Sequence, residues 1–164
     1  MNDPLRIDVV ELRRKPATRR SFTREATVPD LVVVSTFVPE DEPVRVELEL
    51  ESVSNGVMVA GTIRAPWEGE CRRCLEPVRG VLEIEVNELF TSEGDPDETY
   101  VIDGDEIDLR PMVRDAVALN LPPAPLCRPE CLGPDPERFP ATVEGDGGRV
   151  DHRWGALSEL RFDE

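Results

Sequence analysis

Val44-Arg45-Val46-Glu47-Leu48-Glu49-Leu50-Glu51 is the stretch that decides the fold. Apolar residues at every second position alternate with charged ones, the period of a strand with one face in a core and the other in water. Ser54-Asn55-Gly56 then supplies a tight turn. Val57, Val59, Gly61 and Ile63 carry the same period into a second strand, antiparallel to the first. That strand leads through Trp67-Glu68-Gly69-Glu70 into a two-cysteine knuckle, Cys71-Arg72-Arg73-Cys74, closed by Leu75 and Pro77. A third strand leaves the knuckle through Val78, Leu82, Ile84 and Val86 to Leu89-Phe90. Two hairpins, about Asn55-Gly56 and about Cys71–Cys74, thus place residues 44–90 in one antiparallel sheet.

Toward the N-terminus, Leu5-Arg6-Ile7-Asp8-Val9 alternates as a short strand, and Val10 to Leu12 either extends it or begins a helical turn. Arg13-Arg14-Lys15-Pro16-Ala17-Thr18-Arg19-Arg20 reads as loop. Phe22 to Val28 is an extended segment, and Leu31 to Val34 with Phe37 and Val38 is β-rich. Toward the C-terminus, residues 83–108 hold eleven acidic residues and no basic one, with an exposed loop expected at 91–98. Short strands are expected at Tyr100-Val101-Ile102 and Ile107, about Asp103-Gly104-Asp105. Leu109, Met112, Val113, Ala116 and Val117 recur at helical spacing, with Leu119 or Leu121 joining the buried side. Asp108 serves as N-cap and Pro111 sits in the first turn, where an absent N–H costs little. The helix spans about 109–120 and ends before Pro122-Pro123 and Pro125.

Residues 133–150 read as a flexible segment, and Trp154, Leu157 and Leu160, capped by Asp151, as a short C-terminal helix. The expected architecture over 1–164 is a single α+β domain. It has an antiparallel sheet that closes toward a barrel, one packed central helix and the short C-terminal helix.

Charge narrows the function. The formal net charge is −16, which disfavours a nucleic-acid binder that uses its whole surface. The first 24 residues are the exception, with seven basic and three acidic residues. Arg13, Arg14, Lys15, Arg19 and Arg20 in this basic N-terminal segment are either a solvated linker or a contact arm for RNA phosphates or an acidic partner. No apolar run is long enough to cross a bilayer, and the N-terminus lacks the apolar stretch of a secretory signal. Cytoplasm is the default location.

Four cysteines are too few for a disulfide scaffold in 164 residues. Their spacing is informative: Cys71 and Cys74 form C-x2-C, Cys127 and Cys131 form C-x3-C, and 52 residues separate the pairs. Two such knuckles supply the four thiolates of a structural zinc site, and the intervening length is a small entropic obstacle. Arg72, Arg73 and Arg128 would offset the excess thiolate charge. The alternatives are free structural thiols, or a disulfide or redox pair at Cys71 and Cys74, which have thioredoxin-like spacing but no following helix. The single histidine, His152, reads as a surface residue. No phosphate-cradling glycine loop, nucleophile elbow or H-E-x-x-H element is present.

The order of several further motifs carries a resemblance. They are Cys71-Arg72-Arg73-Cys74-Leu75-Glu76-Pro77, Asn87-Glu88-Leu89-Phe90, Ile107-Asp108-Leu109, Arg114-Asp115-Ala116-Val117 and Leu121-Pro122-Pro123-Ala124-Pro125-Leu126-Cys127. Glu130-Cys131-Leu132-Gly133 and Asp151-His152-Arg153-Trp154-Gly155-Ala156-Leu157 complete the set, and Glu11-Leu12-Arg13-Arg14 with Pro16 is similar to relatives from high-GC Gram-positive bacteria. Together they resemble the YceD family, named for large-subunit ribosomal RNA accumulation, and an actinobacterial-type member of it. The resemblance implies a bacterial cytoplasmic accessory factor, not an enzyme, needed for normal accumulation of 23S ribosomal RNA. Its expected partners are that RNA or its precursor and a ribosomal protein. A chaperone-like binder of a basic ribosomal protein, using the acidic stretch 93–108, is the alternative, and a thiol redox protein a third reading. Relatives commonly carry two more cysteines soon after the second pair. Here Gly133-Pro134-Asp135-Pro136-Glu137-Arg138-Phe139 has none, so Cys71, Cys74, Cys127 and Cys131 are either the surviving site or a broken one.

Overall fold

The computed structural model describes residues 3–15, 17–93 and 99–138. The chain divides into two compact units, Met1–Cys131 and Leu132–Glu164. The expected C-terminal helix, His152 and most of segment 133–150 lie outside the described residues. In the second unit, the Asp135 carboxylate accepts the Arg138 backbone N–H at 3.2 Å.

The first unit is α+β. In chain order it contains β1 (Arg6–Asp8), α1 (Val10–Arg13), β2 (Arg19–Ala26), β3 (Val32–Val33), β4 (Thr36–Phe37), β5 (Val44–Val53), β6 (Gly56–Glu70), β7 (Pro77–Thr91), β8 (Tyr100–Asp103), β9 (Glu106–Asp108) and α2 (Arg110–Asn120). The alternation at 44–51 has the predicted effect: Val44, Val46, Leu48 and Leu50 are buried while Arg45, Glu47 and Glu49 face water. The Ser54-Asn55 turn sets Val53 opposite Gly56, and the register continues to Arg45 opposite Arg64. β6 then pairs with β7 over its full length, from Gly56–Thr91 to Glu70–Pro77.

The strands form one curled, half-barrel sheet. One path runs β1-β9-β8-β7-β6, and β6 is flanked on its other side by β5 along most of its length and by β4 near its end. β2 lies outside β5. Among the described residues all pairings are antiparallel except β7 with β8, which run parallel through Phe90–Tyr100 and Thr91–Val101. The sequence pattern did not reveal that pairing, because alternation within each strand is blind to direction. Phe90 and Tyr100 stack where the two strands meet, with ring centroids 5.2 Å apart.

Helix α2 covers the inner face. Met112, Val113 and Val117 are buried with Leu109 and Leu121, beside Ile63, Ile84 and Phe90 of the sheet. Leu121 joins the core, while Leu119 remains 85% exposed. Leu109 is the N-cap residue and makes no side-chain cap. Asp108, one position earlier, accepts the Arg110 N–H at 2.9 Å, so the carboxylate satisfies a first-turn donor from just outside the expected position. At the other end of the sheet, Gly69 lets β4 pack closely against β6: a Cβ there would lie 2.7 Å from Thr36 Cγ2 and 2.8 Å from the Ser35 carbonyl.

Candidate metal centre

The first cysteine knuckle is the turn of the β6–β7 hairpin. The Cys71 N–H donates to the Glu76 carbonyl at 2.9 Å, and the Leu75 N–H to the Cys71 carbonyl at 2.8 Å. Leu75 takes a left-handed conformation, φ 62°, unusual without glycine. The strand pairing ends at Glu70 opposite Pro77, so the long hairpin itself fixes where Cys71 and Cys74 lie.

The second knuckle has no strand or helix to hold it. The chain after α2 carries Pro122, Pro123, Pro125 and Pro129, none of which has an N–H. This segment therefore docks largely through its carbonyls, and the end of the sheet supplies the donors. The buried Thr36 hydroxyl lies 3.0 Å from both the Val33 and Pro122 carbonyls and shares its hydrogen between them. The Arg72 N–H donates to the Pro125 carbonyl at 3.0 Å. The Arg73 guanidinium donates from Nη1 to the carbonyls of Pro129 at 3.3 Å and Cys131 at 2.7 Å. Within the knuckle, the Cys131 N–H reaches the Arg128 carbonyl at 3.1 Å.

These contacts bring all four sulfurs within 4.8 Å of one another. Cys71 Sγ lies 3.8 Å from Cys131 Sγ, and Cys74 Sγ lies 3.7 Å from Cys127 Sγ. Both close pairs join one knuckle to the other. A tetrahedron of thiolates around a metal with bonds of about 2.3 Å has edges of about 3.8 Å, so the donor set and these two spacings fit a metal ion. The cysteines are free thiols, and the separations far exceed a disulfide bond of about 2.05 Å.

The sulfurs differ in their protonation. Cys71 is drawn down to about 6, first by the Cys74 backbone N–H and then by that of Cys127, against the effect of burial. Cys74 is raised: the Glu76 backbone N–H lowers it, but desolvation and the Cys71 and Cys131 thiols prevail. Cys127 is pushed up to about 12 by desolvation and then by the Cys131, Cys74 and Cys71 sulfurs. The Cys127 residue is exposed, but its sulfur is turned in among the other three. The Cys71 thiolate forms readily, and Cys74 and Cys127 then resist ionising. A cation at the centre reverses that balance and lets all four ionise together.

The basic residues are placed differently from the loop expected at 13–20. Arg13 is the last residue of α1, and its guanidinium donates to the Gly104 carbonyl at 3.1 Å. Arg14 and Lys15 are exposed between α1 and β2. Arg19 and Arg20 are the first residues of β2, not loop. β2 is a sheet edge on which only Phe22 and Ala26 are buried; the extended reading from Phe22 covers its later part through Ala26, while its exposed start at Arg19–Ser21 reads as loop. Arg19 pairs with Glu49 at 3.2 Å and Glu51 at 3.1 Å on β5. Arg14, Lys15 and Arg20 have no side-chain partner among the described residues.

Arg13 borders a cleft of about 470 Å³ with Asn55, Gly56 and Thr91, at the start of β6 and the end of β7. The sulfurs lie beyond the other ends of these 15-residue strands. At about 3.3 Å per residue that is about 46 Å of strand. The basic segment and the sulfurs are therefore two places on the molecule.

Sequence reasoning missed Thr36 and the carbonyl bonds of Arg73. Nothing in the local pattern announces a buried threonine between half-buried Ser35 and exposed Phe37, or which of Arg72 and Arg73 turns toward the second knuckle.

A Mycobacterium tuberculosis protein is 34% identical over 168 residues, covering 96% of this chain and 81% of the relative. A Mycobacterium leprae protein is also 34% identical, covering 96% of this chain and 77% of the relative. YlbN of Bacillus subtilis is 25% identical, covering 93% and 94%. No solved structure gives a significant match. Residues 59–161 match the family described as large ribosomal RNA subunit accumulation protein YceD. That span contains all four cysteines, and the mycobacterial likeness agrees with the actinobacterial type expected from the N-terminal motif. The chain belongs to the YceD family of large ribosomal RNA subunit accumulation proteins.

Proposed function

We propose that this protein is a cytoplasmic, non-catalytic factor for 23S ribosomal RNA accumulation, built around one structural zinc. The observation that carries the reading is the family match over a span that includes the four gathered cysteines. Cys71, Cys74, Cys127 and Cys131 would hold the ion. Bound zinc would tie the segment after α2 to the β6–β7 hairpin and neutralise part of the thiolate charge. Among the described residues no helix is long and apolar enough to cross a membrane.

The RNA contact is assigned to the basic N-terminal segment: Arg13, Arg14, Lys15, Arg19 and Arg20. Arg14, Lys15 and Arg20 lead, because Arg13 and Arg19 already have partners. Filter binding of 23S fragments, or of their precursor, tests this with Arg14, Lys15 and Arg20 each changed to Gln. Affinity should fall, and the slope of log affinity against log salt should shrink by about 0.7–0.9 for each phosphate no longer neutralised. Unchanged affinity and slope would remove the segment from the proposal.

A second reading has the protein bind a basic ribosomal protein. It is supported by the acidic stretch 93–108, in which Glu93, Asp103 and Asp105 are exposed, and by the exposed Glu85 on β7. Salt-sensitive capture of isolated basic ribosomal proteins, with no retention of RNA, would select it over the first.

A further inference from the structure

Three arginines border the sulfurs, and by sequence they are interchangeable counter-charges. The structure separates them. Arg72 and Arg128 are exposed, and their guanidinium groups have no partner among the described residues. Arg73 is different in two respects. It stands between the ligand candidates Cys71 and Cys74, so its backbone belongs to the first knuckle. Its side chain reaches across to the second, donating to the Pro129 and Cys131 carbonyls at 3.3 and 2.7 Å. One of those carbonyls belongs to a sulfur-bearing residue.

We infer that Arg73 is the positioning residue of the metal centre: its guanidinium fixes the turn of the second knuckle over the first. The inference rests on the zinc reading above. Its physical basis is the shortage of donors along 122–131. With four prolines among its ten residues, this segment has few N–H groups of its own with which to be pinned. A planar cation with several N–H donors, anchored in the facing knuckle, can hold two of its carbonyls at once. Partners that orient metal ligands from behind typically account for 10–100-fold of metal affinity.

The test compares Arg73→Met with Arg72→Met and Arg128→Met, which remove the same charge from the same rim but break no side-chain bond. Zinc affinity is read by chelator competition on the full-length chain. Arg73→Met should lose about 10–100-fold, and the other two should each change by less than about threefold. Arg73→Lys, which keeps the charge but not the planar fork, should recover only part of the loss. Cobalt substitution supplies an independent signature. The thiolate-to-cobalt absorption of the wild type should be weaker or displaced in Arg73→Met at saturating metal and unaltered in the two controls. Thermal unfolding of the metal-free variants checks that all remain folded. Equal losses in all three Met variants, or full recovery by lysine, would replace positioning with simple charge compensation. No loss in Arg73→Met would overturn the inference while leaving the zinc reading intact. A wild-type chain that takes up no zinc would overturn both.

Discussion

Single side chains decide how the ends of the sheet are held. Thr36 is fully buried and donates toward two carbonyls. Thr36→Val keeps the shape and removes the donor, so denaturant unfolding should show a loss of about 1–3 kcal/mol. Tyr100 donates its hydroxyl to Asp115 at 3.0 Å. Desolvation first, then that bond, raise its pKa from 10.0 to about 12. A folded pKa above the unfolded value gives stability that is full below pH 10 and lost as pH rises through 10 to 12. Tyr100→Phe should flatten that alkaline loss in pH-dependent unfolding. Asp108 behaves in the opposite sense. Its bond with Arg110, with further help from the Arg110 N–H and the charges of Arg110 and Arg6, holds it below 3.8. Its contribution is present above that value and disappears as pH falls through the lower folded pKa. Asp108→Asn should therefore reduce stability at neutral pH and remove part of the acid limb. At this scale the sequence was readable where chemistry is local. Asp108 before a proline-bearing first turn was recognisable as an acceptor for a first-turn N–H, although Leu109 and not Asp108 is the N-cap residue. The Thr36 and Arg73 bonds were not, because their partners lie 86 and up to 58 positions away.

At the scale of elements, legibility followed burial. β5 buries alternate residues from Val44 to Ser52 and reads directly. α2 buries one stripe, and its composition gave the helix to within a residue at its start. β2 buries only two of its eight residues, so the pattern yielded an extended segment from Phe22 and missed the strand's start at Arg19. The same burial predicts which changes matter. Met112→Ala on α2 empties a fully buried position and should cost about 2–5 kcal/mol in denaturant unfolding. Leu119→Ala on the same helix, at an exposed position, should stay within about 0.5 kcal/mol. A larger loss at Leu119 than at Met112 would mean that α2 lies with its other face to the sheet. Spacing offered the convergence of the two cysteine knuckles as one reading, beside free thiols and a redox pair. What spacing lacked was the mechanism: a proline-rich segment that brings acceptors to a sheet end that brings donors.

For the whole molecule, the proposed RNA contact and the proposed zinc predict changes in different properties. Changing Arg14, Lys15 and Arg20 to Gln removes exposed charge without opening the core, so stability should stay within about 0.5 kcal/mol while RNA retention falls. Stripping zinc with a chelator should do the reverse. With free metal a thousandfold above its dissociation constant, the folded state gains about 4 kcal/mol. The midpoint of thermal unfolding should therefore fall on chelation and return when zinc is restored. An unchanged midpoint after complete chelation would contradict a structural role for the ion. The position of the first knuckle at the tip of a local hairpin also sets an order of events during synthesis. Cys71 and Cys74 leave the peptidyl-transferase centre at least 57 residues before Cys131. At about 5–20 residues per second that is a wait of about 3–11 s. For that interval the first pair of thiols has no counterpart to share an ion with, and a nascent chain would be most vulnerable to oxidation there.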